Sequence, residues 1–148
     1  MRDDARVSDD DIDGRVDLEG FRSVFADAAV QYAVLFGSYA TGAETDASDL
    51  DVCVRFPDEL SRRERFRRRN RIDSALQSYA DPFVDVSDLE ALPETVALNA
   101  LRDGQLLYGD FETKAADERR LERQVDASSD ERDRRRREFI DRLAKGDV

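Results

Sequence analysis

Apolar residues first recur at helical spacing between Asp17 and Ala29, where Leu18, Phe21, Val24, Phe25 and Ala28 fall on one face. This predicts a helix with a buried stripe. Tyr32 to Phe36 (YAVLF) is an apolar run too short for a helix and is stopped by Gly37, which predicts a buried strand. Gly37-Ser38-Tyr39-Ala40 then predicts a turn into a brief helix ending near Gly42, followed by a polar loop over residues 43–48. Asp49 to Phe56 predicts a second strand, in which side chains two apart point the same way. Asp49 and Asp51 therefore share one face, and Leu50, Val52 and Val54 share the other. Pro57 breaks this strand, and Asp58 is placed to cap a helix from about Glu59 to Tyr79 with Phe66, Ile72, Leu76 and Tyr79 toward the sheet. Past the Asp81-Pro82 turn, FVDVS (83–87) predicts a third strand with Val84 and Val86 on one side and Asp85 on the other. Pro93 and Gly104 bracket a helix, ETVALNALRD, and Gln105 to Tyr108 (QLLY) predicts a last edge strand.

The two ends read differently. Residues 1–16 are acidic and lack a hydrophobic period, which predicts a mobile leader ahead of a folded unit at 17–112. Residues 113–148 predict a charged helical tail, broken at Ala127-Ser128-Ser129. Ser128 and Glu131 form a capping-box pattern opening a final helix with Phe139, Ile140 and Leu143 on one side.

Composition narrows the chemistry. A chain of 148 residues is one domain by size, and although 40% of it is charged, 40% is hydrophobic, which places it among folded proteins. The net charge is -11, aspartates outnumber glutamates about two to one, and Lys114 and Lys145 are the only lysines. Such a surface suits a cytoplasm of very high salt, as in a halophile, so its acidity says little about partners. Histidine is absent and Cys53 is alone, which excludes a Ser-His-Asp triad, a histidine base, a disulfide and a Cys- or His-built zinc site within the chain. No apolar run approaches a membrane span and the acidic start is unlike a signal peptide, so a cytoplasmic protein is expected. Asp9, Asp11, Asp13 and Gly14 imitate the first half of a calcium loop, but the twelfth position is Gly20 where a glutamate is needed. Arg62, Arg63, Arg65, Arg67, Arg68, Arg69 and Arg71 form a basic block in this acidic background. It reads first as a solvated face, and otherwise as a surface meeting triphosphate, RNA or an acidic partner.

Two aspartates at i and i+2 on a strand, with a third from a neighbouring strand, are the oxygen donors that a divalent metal handling a nucleotide requires. A glycine followed by a serine at a turn into a helix lets backbone N–H groups and a hydroxyl approach phosphate oxygens. Asp-x-Asp alone carries little weight in a chain with 35 acidic residues. The conjunction of Gly37-Ser38, the ten-residue gap, Ser48, strand parity and Asp85 carries more.

The segment LFGSYATGAETDASDLDVCV resembles the signature of the polymerase beta-type nucleotidyltransferase superfamily, most closely its minimal (MNT) members, and the likeness continues through FVDVSDLEALP and LRDGQLLYGD over roughly residues 18–112. The resemblance implies an α/β (α+β) fold, a short mixed sheet flanked by helices, with ATP and Mg²⁺ as cofactors. It implies that Gly37 and Ser38 hold the triphosphate, that Asp49 and Asp51 ligate metal, and that Asp85 completes the metal site or helps deprotonate the acceptor hydroxyl. It further implies an antitoxin paired with a HEPN-domain ribonuclease toxin, transferring AMP to a toxin tyrosine, with no direct nucleic-acid binding. The alternatives are an antitoxin that masks its toxin without catalysis and a transferase acting on a small molecule such as an aminoglycoside. Thr41 departs from the pattern, since many relatives carry arginine there.

Overall fold

The computed structural model describes residues 14–43 and 48–146. Among the described residues, five α-helices and four strands follow one another: α1 (Leu18–Asp27), β1 (Tyr32–Phe36), α2 (Ser38–Thr41), β2 (Leu50–Arg55), α3 (Arg62–Leu76), β3 (Val84–Asp88), α4 (Glu94–Asp103), β4 (Gln105–Gly109) and α5 (Phe111–Ala144). The strands form one mixed sheet in the order β3-β2-β1-β4. β1 is antiparallel to β2 and β4, and β2 is parallel to β3.

Alternation along the strands builds two cores. On one face Ala33, Leu35, Leu50, Val52, Val54, Val84 and Val86 meet Leu18, Phe21 and Phe25 of α1 and Ile72 and Leu76 of α3. On the other, Tyr32, Val34, Cys53 and Leu106 meet Leu98 and Leu101 of α4 and Leu121 of α5. The small residues of α4 and the gap left by Gly104 let this second layer lie close to the sheet.

The second layer is also pinned by a buried charge. Arg55 closes β2, is 7% exposed, and donates through Nε to Asp117 of α5 at 3.0 Å. Its remaining nitrogens reach Asp58 at 2.6 Å, Glu90 and the Phe56 carbonyl. Tyr32 Oη donates to the same Asp117 oxygen at 2.7 Å. Burial, then the Asp117 carboxylate, pushes the Tyr32 phenol far above its ordinary range, so it stays a neutral donor. For Arg55, burial works against the charge, but the bonds to Asp58, Asp117 and Glu90 outweigh it and the guanidinium stays protonated.

Several expectations change. The helix expected from Glu59 begins at Arg62 with Ser61 as its cap, because Asp58 is taken by Arg55. Phe66, expected to face the sheet, is 63% exposed, and Tyr79 is 37% exposed. The expected break at Ser128-Ser129 is absent: α5 runs unbroken through it, since the flanking alanine, arginine and glutamate residues favour helix more than two serines disfavour it. Of the expected leader, Arg15 and Val16 are tied to the chain after α3, by a bridge from Val16 to Ala80 and a bond from Asp81 N to Arg15 O. The rest of it, with the calcium-loop imitation at Asp9, Asp11 and Asp13, lies outside the described residues. Among the described residues no helix is long and apolar enough to cross a membrane.

Removing one partner of a buried, hydrogen-bonded ion pair leaves the other uncompensated. Asp117→Ala is therefore expected to lower the unfolding free energy by about 3 kcal/mol in a urea titration. Asp58→Ala, at the exposed end of the same cluster, should cost clearly less; equal losses would show that Asp117 does not pin α5.

Candidate active site

At the open end of β1 the chain must turn sharply, and Gly37 makes the turn with φ 77° and ψ -154°. A β-carbon there would overlap Asp51 Oδ2, so only glycine lets the backbone lie directly against that carboxylate. Ser38 opens α2, which is a single turn of helix and contributes correspondingly little dipole. Two contacts from afar fix that turn: Gln105 Nε2 donates to Ala40 O at 2.9 Å, and Arg15 Nη2 donates to the buried Tyr39 hydroxyl at 2.7 Å.

Asp51 lies opposite Phe36 on β1 and in register with Asp85 on β3. Neighbouring strands lie about 4.8 Å apart, and in-register residues share a face, so these two carboxylates stand side by side on the face opposite Leu50, Val52, Val84 and Val86. Asp49 sits one residue before β2, and Leu50 N donates to Phe83 O at 2.8 Å to hold that entry to the strand. Asp49 and Asp85 are exposed and Asp51 is half-buried. Burial first, then the charges of Asp85 and Asp49, hold the Asp51 carboxyl above the usual carboxylate range.

The parity reading and the third aspartate thus meet in one place. Among the described residues, however, no three acidic or cysteine side chains converge tightly enough to hold a metal as they stand. The donor set nonetheless suits a hard divalent cation: all oxygen, on adjacent strands, with mutual repulsion that a cation would relieve.

A neighbour that sequence reasoning missed is Arg69 of α3. Its Nε donates to Val86 O at 2.6 Å, and its Nη2 lies 3.3 Å from Asp73 and 3.7 Å from Asp85. Gln77 similarly donates to Val84 O at 2.7 Å and accepts from Val84 N at 3.1 Å, and Arg65 holds Asp88 at 2.8 Å. Side chains of α3 and of Gln77 at its C-terminal cap therefore close the outer edge of β3, which would otherwise present unpaired backbone groups. Part of the basic block is accordingly structural and not a solvated face. A lone arginine in a run of seven gave no sign of which would turn inward. Arg62, Arg63, Phe66, Arg67 and Arg71 point outward and are exposed.

Comparison with known proteins agrees with this layout. A search of curated proteins returned no match. Among solved structures, a toxin-antitoxin complex with AMP-PNP is similar at a TM-score of 0.65 and 22% identity, covering 84% of this chain and 99% of that one. The complex of a tri-AMPylated Shewanella oneidensis HEPN toxin with its MNT antitoxin is similar at 0.58 and 21% identity, covering 83% and 95%. A MntA-HepT toxin-antitoxin complex is similar at 0.58 and 20% identity, covering 83% and 96%. At these identities the likeness shows the fold. The family described as "Polymerase beta, Nucleotidyltransferase" matches residues 21–113 of the 148; spanning well over half of the chain, including Gly37 and all three aspartates, that match places the protein in the polymerase beta nucleotidyltransferase family.

Proposed function

We propose that this nucleotidyltransferase is an antitoxin that transfers AMP from ATP to a tyrosine of a partner HEPN ribonuclease toxin. The observation that carries the reading is the in-register pair Asp51 and Asp85 on an open face, with the Gly37 backbone against Asp51. Support for the acceptor comes from the similar complexes, one holding AMP-PNP and one a tri-AMPylated HEPN toxin.

In this reading the turn at Gly37-Ser38 receives the triphosphate through backbone N–H groups and the serine hydroxyl. Asp49, Asp51 and Asp85 would hold Mg²⁺, which when bound supplies neutralising charge for the triphosphate and the leaving pyrophosphate. The acceptor oxygen attacks the α-phosphorus, the bond from that phosphorus to the bridging oxygen breaks, and pyrophosphate departs. Asp85, more exposed than Asp51 and at the sheet edge, would take the phenolic proton. Asp51, against the backbone turn, orients the site.

Incubation with the HEPN partner, Mg²⁺ and ATP labelled on the α-phosphate is expected to label the toxin and restore survival of RNA in its presence. Asp49→Ala with Asp51→Ala should abolish transfer. Protection of RNA without any label on the toxin would sink the transferase reading in favour of masking by binding.

Stability reports on the same carboxylates without turnover. Because the folded chain holds the Asp51 carboxyl above its ordinary range, its ionised form is disfavoured by folding. The cost is full above that raised value and vanishes in acid, where folded and unfolded chains both keep the proton. Asp51→Asn should therefore raise Tm in metal-free buffer at neutral pH, with the gain fading as the pH falls through the carboxylate range. Mg²⁺ should raise the Tm of the wild type and not of the variant. Equal gains from Mg²⁺ in both would show that Asp51 does not ligate it.

A further inference from the structure

Among the described elements, α3 alone carries a net charge opposite to that of the chain. It carries seven arginines against Glu64 and Asp73, in a protein of net charge -11. Arg65, Arg68 and Arg69 are spent inside the fold, on Asp88, on Glu64 and the Ala28 carbonyl, and on the β3 edge. Arg62 and Arg63, by contrast, meet no carboxylate among the described residues, and Arg67 comes only to 4.0 Å from Glu64. Between them stands Phe66, 63% exposed. Arg62 and Phe66 are four apart and so lie on one flank of the helix, with Arg63 and Arg67 on the next row.

That flank walls a groove of about 580 Å³ whose floor is Val86 and Ser87 and whose far side is Glu90 to Leu92. The groove runs along the outer side of β3, and its link to Asp85, which points to the other face of that strand, is Arg69, which lines the groove and lies 3.7 Å from the Asp85 carboxylate. Its carboxylates are already engaged, Asp88 by Arg65 and Glu90 by Arg55. What it offers an incomer is therefore the free Arg62 guanidinium and an aromatic face, backed by the outward arginines. The strand edge itself is closed by Arg69 and Gln77, so an occupant binds by side chains and not by adding a strand.

We propose that this arginine-phenylalanine flank is the docking surface for an acidic segment of the acceptor protein, which it presents to the carboxylates beside it. The proposal rests on the reading of the site as one that modifies a protein. Charge complementarity selects an acidic polypeptide: each carboxylate meets one guanidinium, and an apolar or aromatic side chain covers Phe66. A nucleic acid fits poorly, because an extended polyanion would also face the acidic remainder of the chain, whereas a short segment engages the flank alone.

Arg62→Glu combined with Phe66→Ala changes two exposed side chains, so Tm should stay unchanged. Fluorescence anisotropy would follow a short labelled peptide of alternating glutamate and tyrosine, with a labelled single-stranded RNA of equal length as the rival. The peptide is expected to bind the wild type, more weakly as salt rises, and about tenfold more weakly to the double variant. With the HEPN partner as acceptor, the double variant should raise KM about tenfold while kcat and the KM for ATP hold. Peptide binding that is absent or indifferent to the substitutions, or RNA binding that is lost with them, overturns the proposal. If the wild type transfers no AMP at all, the transferase reading fails by itself and the anisotropy comparison alone decides the docking surface.

Discussion

Strand β2 does two jobs through a single alternation. Leu50, Val52 and Val54 point into the core beneath α1 and α3, and Asp51, Cys53 and Arg55 point the other way. Successive members of that second stripe are about 7 Å apart. A half-buried carboxylate thus stands at the open end of the strand, a buried thiol in the middle and a buried guanidinium at the closed end. Burial, then the charge of Asp88, raises the Cys53 thiol well above its ordinary value, which leaves it an inert apolar filler between the two charged ends. A slip of β2 by one residue would bury Asp51 and Arg55 in the aliphatic core, so core packing itself holds the site in register.

The two ends are treated differently because they serve different ends. Arg55 is surrounded by carboxylates and a carbonyl, and no buried side-chain polar atom among the described residues lacks a partner. Asp51 is instead placed among groups of its own sign, an arrangement that folding alone does not favour. Such local opposition is sustained when the surrounding sheet over-determines it, and it concentrates where a ligand completes the balance. The buried cluster at the far end and the packed faces supply that determination.

Much of this was legible in the chain, and the exceptions share a cause. Short apolar runs located β1 and β4 and alternation located β2 and β3, and the parity of Asp49 and Asp51 with the later Asp85 marked the place where the structure brings Asp51 and Asp85 side by side. What stayed hidden was the pairing of charges across distance. Asp117 is one acid among many in a charged helix, and nothing local tells that it lies under Arg55 and Tyr32, far away in sequence. Asp58 looked like a helix cap because capping is a local signal, while its capture by Arg55 is a tertiary one. Phe66 looked like core because it is one of the few apolar positions of the helix, although the buried stripe of α3 is carried by Ile72 and Leu76 alone.

The same helix shows how an acidic, arginine-rich chain divides its cations. Arginine is suited to closing a strand edge because its planar fork reaches a carbonyl and a carboxylate at once, as Arg69 does with Val86 and Asp73. Lysine, a single point charge, would satisfy fewer of those groups. Once α3 is committed to that edge, each turn of helix carries further residues away from the sheet, and here those positions are also arginine. Burial does not require them, since they are exposed, and helix propensity does not single them out, since glutamate or alanine serves as well. In a chain of net charge -11, a basic flank beside the candidate site is a local inversion of field, and such an inversion selects what approaches before any contact forms.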